Sequence, residues 1–147
     1  MIISFTGAVG KHDLQRYEAA IRNYASQLMK GKLVDKLFIE VEFTRGMLRE
    51  TGALGYCTWE DQPKKPRDFS IELDATQSAT RALQTLAHEM VHVKQFATGE
   101  LEDFCRKPRQ WLGKPMVEEI SYQDEPWEIE AYDREDGIYR AFKESEK

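Results

Sequence analysis

The chain has 147 residues, 41% hydrophobic and 32% charged, which is enough material for one hydrophobic core and too little for two. Its formal charge of −5 argues against a protein whose main task is to coat nucleic acid. No apolar stretch approaches the roughly 20 residues that a membrane helix needs.

Residues 1–7 are a short apolar start without the basic opening and long apolar run of a signal peptide. Asp13 can cap a helix that runs to about Lys30, because Leu14, Tyr17, Ile21, Tyr24 and Leu28 recur every three or four positions and Gly31 suits a stop. Residues 33–43 are rich in Leu, Val, Ile and Phe, with alternation at Phe38, Glu40 and Glu42, and predict a strand. Residues 53–59 and 69–73 predict two more, separated by a loop over 61–68 whose two prolines break regular pairing. Asp74, Thr76 or Ser78 can cap a helix reaching about Ala97, with Gly99 just past its end. In it Ala79, Leu83, Leu86, Met90, Val93 and Ala97 form one apolar stripe. Residues 98–123 show no sustained period. A final helix starts near Asp124, Glu125 and Pro126, with proline in the first turn and Trp127, Ala131, Ile138 and Phe142 as its inner face. No repeat or linker interrupts this order, so residues 1–147 are read as a single α+β domain.

His88 and His92 are four apart on the best-defined helix, so their imidazoles leave the same face one turn apart. That is the geometry of two ligands to one tetrahedral zinc ion. Glu89 is rotated by about 100° from His88 and stands beside such a metal, where its carboxylate can take a proton from an attacking water. A catalytic zinc needs a third protein ligand. The only other histidine, His12, opens the first helix and nothing ties it to this face, which points to a carboxylate. Glu130 sits beside Ala131 at the edge of the last helix's buried face and is the leading candidate. Glu128 on the same turn is the alternative, with Glu118, Glu119, His12 or a cysteine behind them. Asp133, one turn from Glu130, can orient a ligand histidine. Tyr132, Tyr139, His12 and Arg134 are candidate donors to the oxyanion formed when water attacks a carbonyl. Gln95, one turn beyond His92, faces the same side.

At these residues the chain resembles two groups of zinc peptidases. Gly55-Tyr56-Cys57, then Phe69-Ser70-Ile71-Glu72-Leu73, then Leu86-Ala87-His88-Glu89-Met90-Val91-His92 is similar to the core of SprT-like metallopeptidases, over about residues 53–97. SprT-like proteins typically finish the site with a downstream histidine, and this sequence has none after His92. Completion by a glutamate from a following helix is the gluzincin arrangement, and the chain resembles the compact minigluzincins in length and element order. The resemblance implies a zincin-like domain: an N-terminal helix, a three-stranded sheet, the zinc helix, and a C-terminal helix whose Glu130-Ala131 pair supplies the ligand. It also implies an edge strand for an extended substrate, with Phe69, Ser70, Ile71, Glu72 and Leu73 as the candidate.

The resulting expectation is a zinc metallopeptidase with one Zn(2+), held by His88, His92 and Glu130, that hydrolyses peptide bonds with metal-activated water and Glu89 as general base. Its partners would be peptide or protein substrates, with no membrane, and a monomer is favoured. Cys57 and Cys105 lie far apart in no metal spacing, so two free thiols in a cytoplasmic setting are expected. Two other classes stay open. In one, the zinc helix is latent or structural in a regulatory module whose cleft is blocked by the acidic C-terminal segment or by residues 98–123. In the other, Lys64, Lys65, Arg67, Arg106, Lys107, Arg109 and Lys114 serve an SprT-like protease acting on DNA-associated proteins, against which the net charge argues.

Overall fold

A computed structural model describes residues 1–105, 107–116 and 119–147. The chain runs β1 (Ile2–Gly7), α1 (Leu14–Leu28), α2 (Gly31–Val34), β2 (Phe38–Thr44), α3 (Met47–Thr51), β3 (Gly55–Trp59), β4 (Asp68–Asp74) and α4 (Ala79–Thr98). Three short strands follow, β5 (Leu101–Glu102), β6 (Gln110–Trp111) and β7 (Lys114–Pro115), then a 3-10 turn (Tyr122–Asp124) and α5 (Pro126–Ser145). This is a small α+β domain.

The main sheet has four strands in the order β1-β2-β4-β3, with β1, β2 and β4 parallel and β3 antiparallel to β4. Two sequence expectations change here. The sheet has four strands rather than three, because the apolar start is itself a strand; only Ile3 and Phe5 turn inward, and Ile2 on the outer face hides the alternation. The stretch Phe69, Ser70, Ile71, Glu72 and Leu73 is an interior strand with a partner on each side, not an edge. Its fully buried Phe69, Ile71 and Leu73 explain the placement, since the strand beneath α4 must be the most apolar. The free edge nearest α4 belongs to β3.

Helices cover one face of the sheet, where Ile39, Val41, Phe43, Phe69, Ile71 and Leu73 meet Tyr17, Ile21 and Tyr24 of α1 and Leu83, Leu86 and Met90 of α4. The opposite face, with Phe38, Glu40, Glu42, Tyr56 and Thr58, is open. The caps follow the sequence with one exchange. Asp13 accepts from the Arg16 amide at 3.2 Å, and Ser78 accepts from the Arg81 amide at 3.1 Å. Asp74 instead accepts from the Leu48 amide at 2.7 Å and so ties α3 to the end of β4. Gly99 ends α4 with φ +82°, a left-handed conformation that glycine adopts without strain. Residues 31–34, expected in part as strand, form a single helical turn instead. Among the described residues no helix is long and apolar enough to cross a membrane.

Candidate metal centre

The second half of α4 is buried on all sides, between the sheet below, α1 on one flank and α5 on the other. His88 and His92 therefore lie inside the protein, at 6% and 7% exposure, and their polar atoms need partners there. Both present Nε2 to one oxygen. Glu128 Oε1 lies 3.0 Å from His88 Nε2 and 3.2 Å from His92 Nε2. His88, His92 and Glu128 form a buried group that could hold a metal ion. Ligands about 2.0–2.1 Å from a tetrahedral ion stand roughly 3.3 Å apart, close to the two distances from Glu128 Oε1, and the donor atoms of all three residues lie within 4.8 Å of one another.

The outer nitrogens define the tautomers. His88 Nδ1 donates to Glu135 Oε2 at 2.9 Å, and His92 Nδ1 donates to Gln95 Oε1 at 2.8 Å. With a proton fixed on Nδ1, Nε2 is the nitrogen each ring turns to Glu128: it donates to the carboxylate while the ring holds its second proton, and it offers a lone pair to a metal once that proton is gone. Burial works against charging His88, but hydrogen bonds to Glu128 and Glu135 overcome it and lift the ring from its ordinary 6.5 to about 9. His92 moves the same way: burial opposes, and Glu128 prevails. Glu128 is opposed by burial too, yet the two rings and the Tyr122 hydroxyl, 2.8 Å from Oε1, hold it far below the usual carboxylate range.

Glu89 belongs to the same turn but faces the cleft rather than the triad. Burial raises its pKa, with the two histidines pulling the other way. It borders two cavities of about 520 and 570 Å³, which share Ala53, Gly55, Glu89 and Tyr122 as walls. Together they flank the site along the free edge of β3. Leu54, Arg81, Gln84 and Thr85 line the first; Cys57, Phe96, Leu101 and Trp127 line the second.

Several sequence-chosen residues lie elsewhere. Glu130 does not approach the histidines: its carboxylate takes Lys94 Nζ at 2.7 Å, Gln95 Nε2 at 2.8 Å and Arg134 Nη1 at 3.3 Å. Glu128 takes the place expected for it. Asp133 is exposed, and Glu135 does the orienting instead. Tyr139 is a core residue, and Arg134 is spent on Glu130. Tyr132 does reach the site, its ring packing edge-on to His88 with centroids 4.5 Å apart. His12 is a satisfied core histidine, bonded to the Tyr17 hydroxyl and the Ala75 carbonyl. Glu119 is exposed, while Glu118 lies outside the described residues, as does Arg106. Cys57 and Cys105 are free thiols. Sequence reasoning missed Tyr122, whose only signal was an aromatic residue shortly before the last helix. Of the basic segments, Arg67 is turned onto the carbonyls of Lys65, Pro66 and Ala97, and Arg109 onto Asp103 and the Trp127 ring. No family model matches the chain, and no curated protein or solved structure matches it either.

Proposed function

We propose that this chain is a zinc-dependent metallopeptidase of the zincin-like, glutamate-completed type. One observation carries the reading: the buried His88, His92 and Glu128 converge beside Glu89 at a groove along an unpaired strand edge. Two imidazoles from an HExxH helix and a carboxylate from a following helix are a donor set of hydrolytic zinc. When bound there, zinc would supply Lewis-acid polarisation of the scissile carbonyl and of the attacking water. The remaining work falls to the chain's own side chains. Glu89, with its pKa raised by burial, takes the proton of the attacking water and passes it to the leaving amine. The Tyr122 hydroxyl, at the mouth of the site, is placed to donate to the carbonyl oxygen.

The β3 edge offers backbone groups for an extended peptide, and the cavities at either end would take alternate side chains. Ala53 and Gly55 border both cavities, while Leu54, before β3, lines only the first with Arg81, Gln84 and Thr85, and Tyr56 and Cys57 of β3 line only the second with His92 and Phe96. A peptide antiparallel to β3 would therefore place its leaving-amine side in the first cavity and its acyl side in the second. The two free thiols suit a reducing, cytoplasmic setting.

The test is hydrolysis of an unstructured protein and a mixed peptide library by the protein loaded with one equivalent of zinc. Glu89→Gln should keep zinc and fold but lose cleavage. An active Glu89→Gln protein would sink the mechanism, and an inert zinc-loaded wild type would sink the function. A second reading, a latent zinc module, is favoured by one contact: Tyr122 from the 98–123 connection already spans the groove to Glu128. The acidic C-terminal segment does not block it, because Glu146 is held by Arg16 at 2.8 Å, on the α1 side.

A further inference from the structure

Glu130 is expected to bind metal from the sequence, yet it sits one residue further out, at the end of a hydrogen-bonded chain that leads inward to His92. We propose that Gln95 and Glu130 are positioning residues for the metal centre: together they fix the tautomer and the aim of His92. The inference rests on the reading of His92 as a metal ligand.

The argument starts from the Gln95 amide, which is fully buried at 0% exposure. Its Nε2 lies 2.9 Å from the Trp127 carbonyl and 2.8 Å from Glu130 Oε1. Both neighbours are acceptors only, so the NH2 end of the amide must face them and the carbonyl oxygen must face the other way. What lies that way is His92 Nδ1, at 2.8 Å. Beside an amide oxygen, Nδ1 has to be the protonated nitrogen. Nε2 is thereby left as the nitrogen that faces Glu128 and gives up its proton when a metal binds, a conclusion that chemical identity imposes whichever amide atom is labelled oxygen.

Glu130 makes this orientation permanent. Without it, a rotated Gln95 would lose one bond to Trp127, a modest cost; with it, rotation would set an amide oxygen against a buried carboxylate. The carboxylate is itself pinned by the buried Lys94 and the part-exposed Arg134, so the chain runs from a charge at the surface to the imidazole within. It also crosses between helices: His92, Lys94 and Gln95 come from α4, and Trp127, Glu130 and Arg134 from α5. His88 has a different device, the direct carboxylate of Glu135. The two ligands are therefore oriented independently, and Gln95 serves only His92.

Zinc dissociation constants measured by chelator competition, together with long-range 1H–15N spectra of the histidine rings, test the proposal. Gln95→Leu, similar in size and without polar atoms, should weaken zinc binding about 10–100-fold. Glu130→Ala should weaken it in the same direction by less, and Glu130→Gln, which keeps an oxygen for the Gln95 amide, should recover most of that loss. The zinc-loaded wild type should show His92 bound through Nε2 with its proton on Nδ1. A merely structural role would lower the melting temperature of the metal-stripped variants and leave the zinc constant of the folded fraction unchanged. That outcome overturns the proposal, as does His92 ligation through Nδ1. The ring spectrum is read on the wild type, so it decides the matter even if Gln95→Leu does not fold. Failure of the wild type itself to take up one zinc would overturn the metal site first, and this inference with it.

Discussion

Gly55 brings the start of β3 close against α4, and adding a single methyl group there has a calculable consequence. A Cβ on Gly55 would lie 2.6 Å from Thr85 Cγ2, 3.2 Å from the Glu72 carbonyl oxygen and 3.3 Å from Glu89 Cγ. The first contact is impossible without movement, and Thr85 is poorly able to move. It is β-branched, and its hydroxyl is bonded to Gln77 Oε1 at 3.0 Å and the Arg81 carbonyl at 2.9 Å. The second contact is backbone in the middle of the sheet. Overpacking costs about 1–3 kcal/mol, and with one rigid and one restrained neighbour the upper part of that range applies. At roughly 2–4 °C per kcal/mol for a chain of this size, Gly55→Ala should lower Tm by about 4–12 °C. Gly137 is the internal control, because a Cβ there meets nothing within 4 Å. It lies on the exposed side of α5, where Gly→Ala should add about 0.5–1 kcal/mol through helix propensity. Thermal melts of the metal-stripped proteins by circular dichroism should move in opposite directions for the two variants. Thr85→Ser on the Gly55→Ala background removes Cγ2 and should recover much of the loss. A Gly55→Ala protein that melts with the wild type would refute the close approach of β3 to the site.

Three further outcomes are expected. Glu128→Gln should lose stoichiometric zinc in equilibrium dialysis while Glu130→Gln keeps one ion per chain; the reverse pattern would return Glu130 to the ligand set. Tyr122→Phe should retain zinc and lower kcat by about a hundredfold with KM little changed, as for removal of one oxyanion donor. A rise in activity on Tyr122→Ala would instead favour the latent reading, with the ring as the cover. Asp74 is opposed by burial, but hydrogen bonds from Thr76, Leu48 and Gln77 depress its pKa below the ordinary 3.8. A depressed carboxylate contributes stability that is fully present above its unfolded value and is lost as pH falls through the folded one. Asp74→Asn should thus be destabilised by about 1–3 kcal/mol at neutral pH, with the deficit shrinking in melts below about pH 4. A deficit that stays constant down to pH 2 would show that the charge is not the stabilising form.

The helix α4 is the most legible element, because an N-cap serine, a C-terminal glycine and an unbroken apolar stripe all place His88 and His92 on one face. The choice between Glu128 and Glu130 was not legible for a specific reason. At about 100° per residue, Trp127, Ala131, Ile138 and Phe142 leave the two glutamates almost symmetrically placed about the buried direction. Tyr139 breaks the tie. Counting it among the core residues, where the structure has it, swings that direction to within about 50° of Glu128 and about 110° from Glu130. The core position of Tyr139 and the turning of Glu128, rather than Glu130, toward the histidines are therefore one departure from the sequence expectation rather than two. The strand edge failed differently: whether a strand is central or peripheral depends on its partners, and β1 carries too few inward apolar residues to announce itself.

The same phase explains why α5 does more than bring Glu128 to the histidines. Glu128 and Glu135 are seven apart and share a stripe, so one face of the helix provides both the oxygen between the two Nε2 atoms and the acceptor for His88 Nδ1. Ala131, at 0% exposure, lies between them in the buried stripe, where a small side chain allows the helix axes to approach. Glu130, on the opposite flank, supports Gln95 and through it His92. Every polar partner of the two histidines except Gln95 thus comes from α5, and Gln95 is itself held by α5. A metal ion bound at this site would draw on the docking of α5 against α4, and its binding free energy would appear as resistance of that helix pair to separation. The His88, His92 and Glu128 group is in this way held rigid by packing between two helices, with β3 supplying only the rim of the groove.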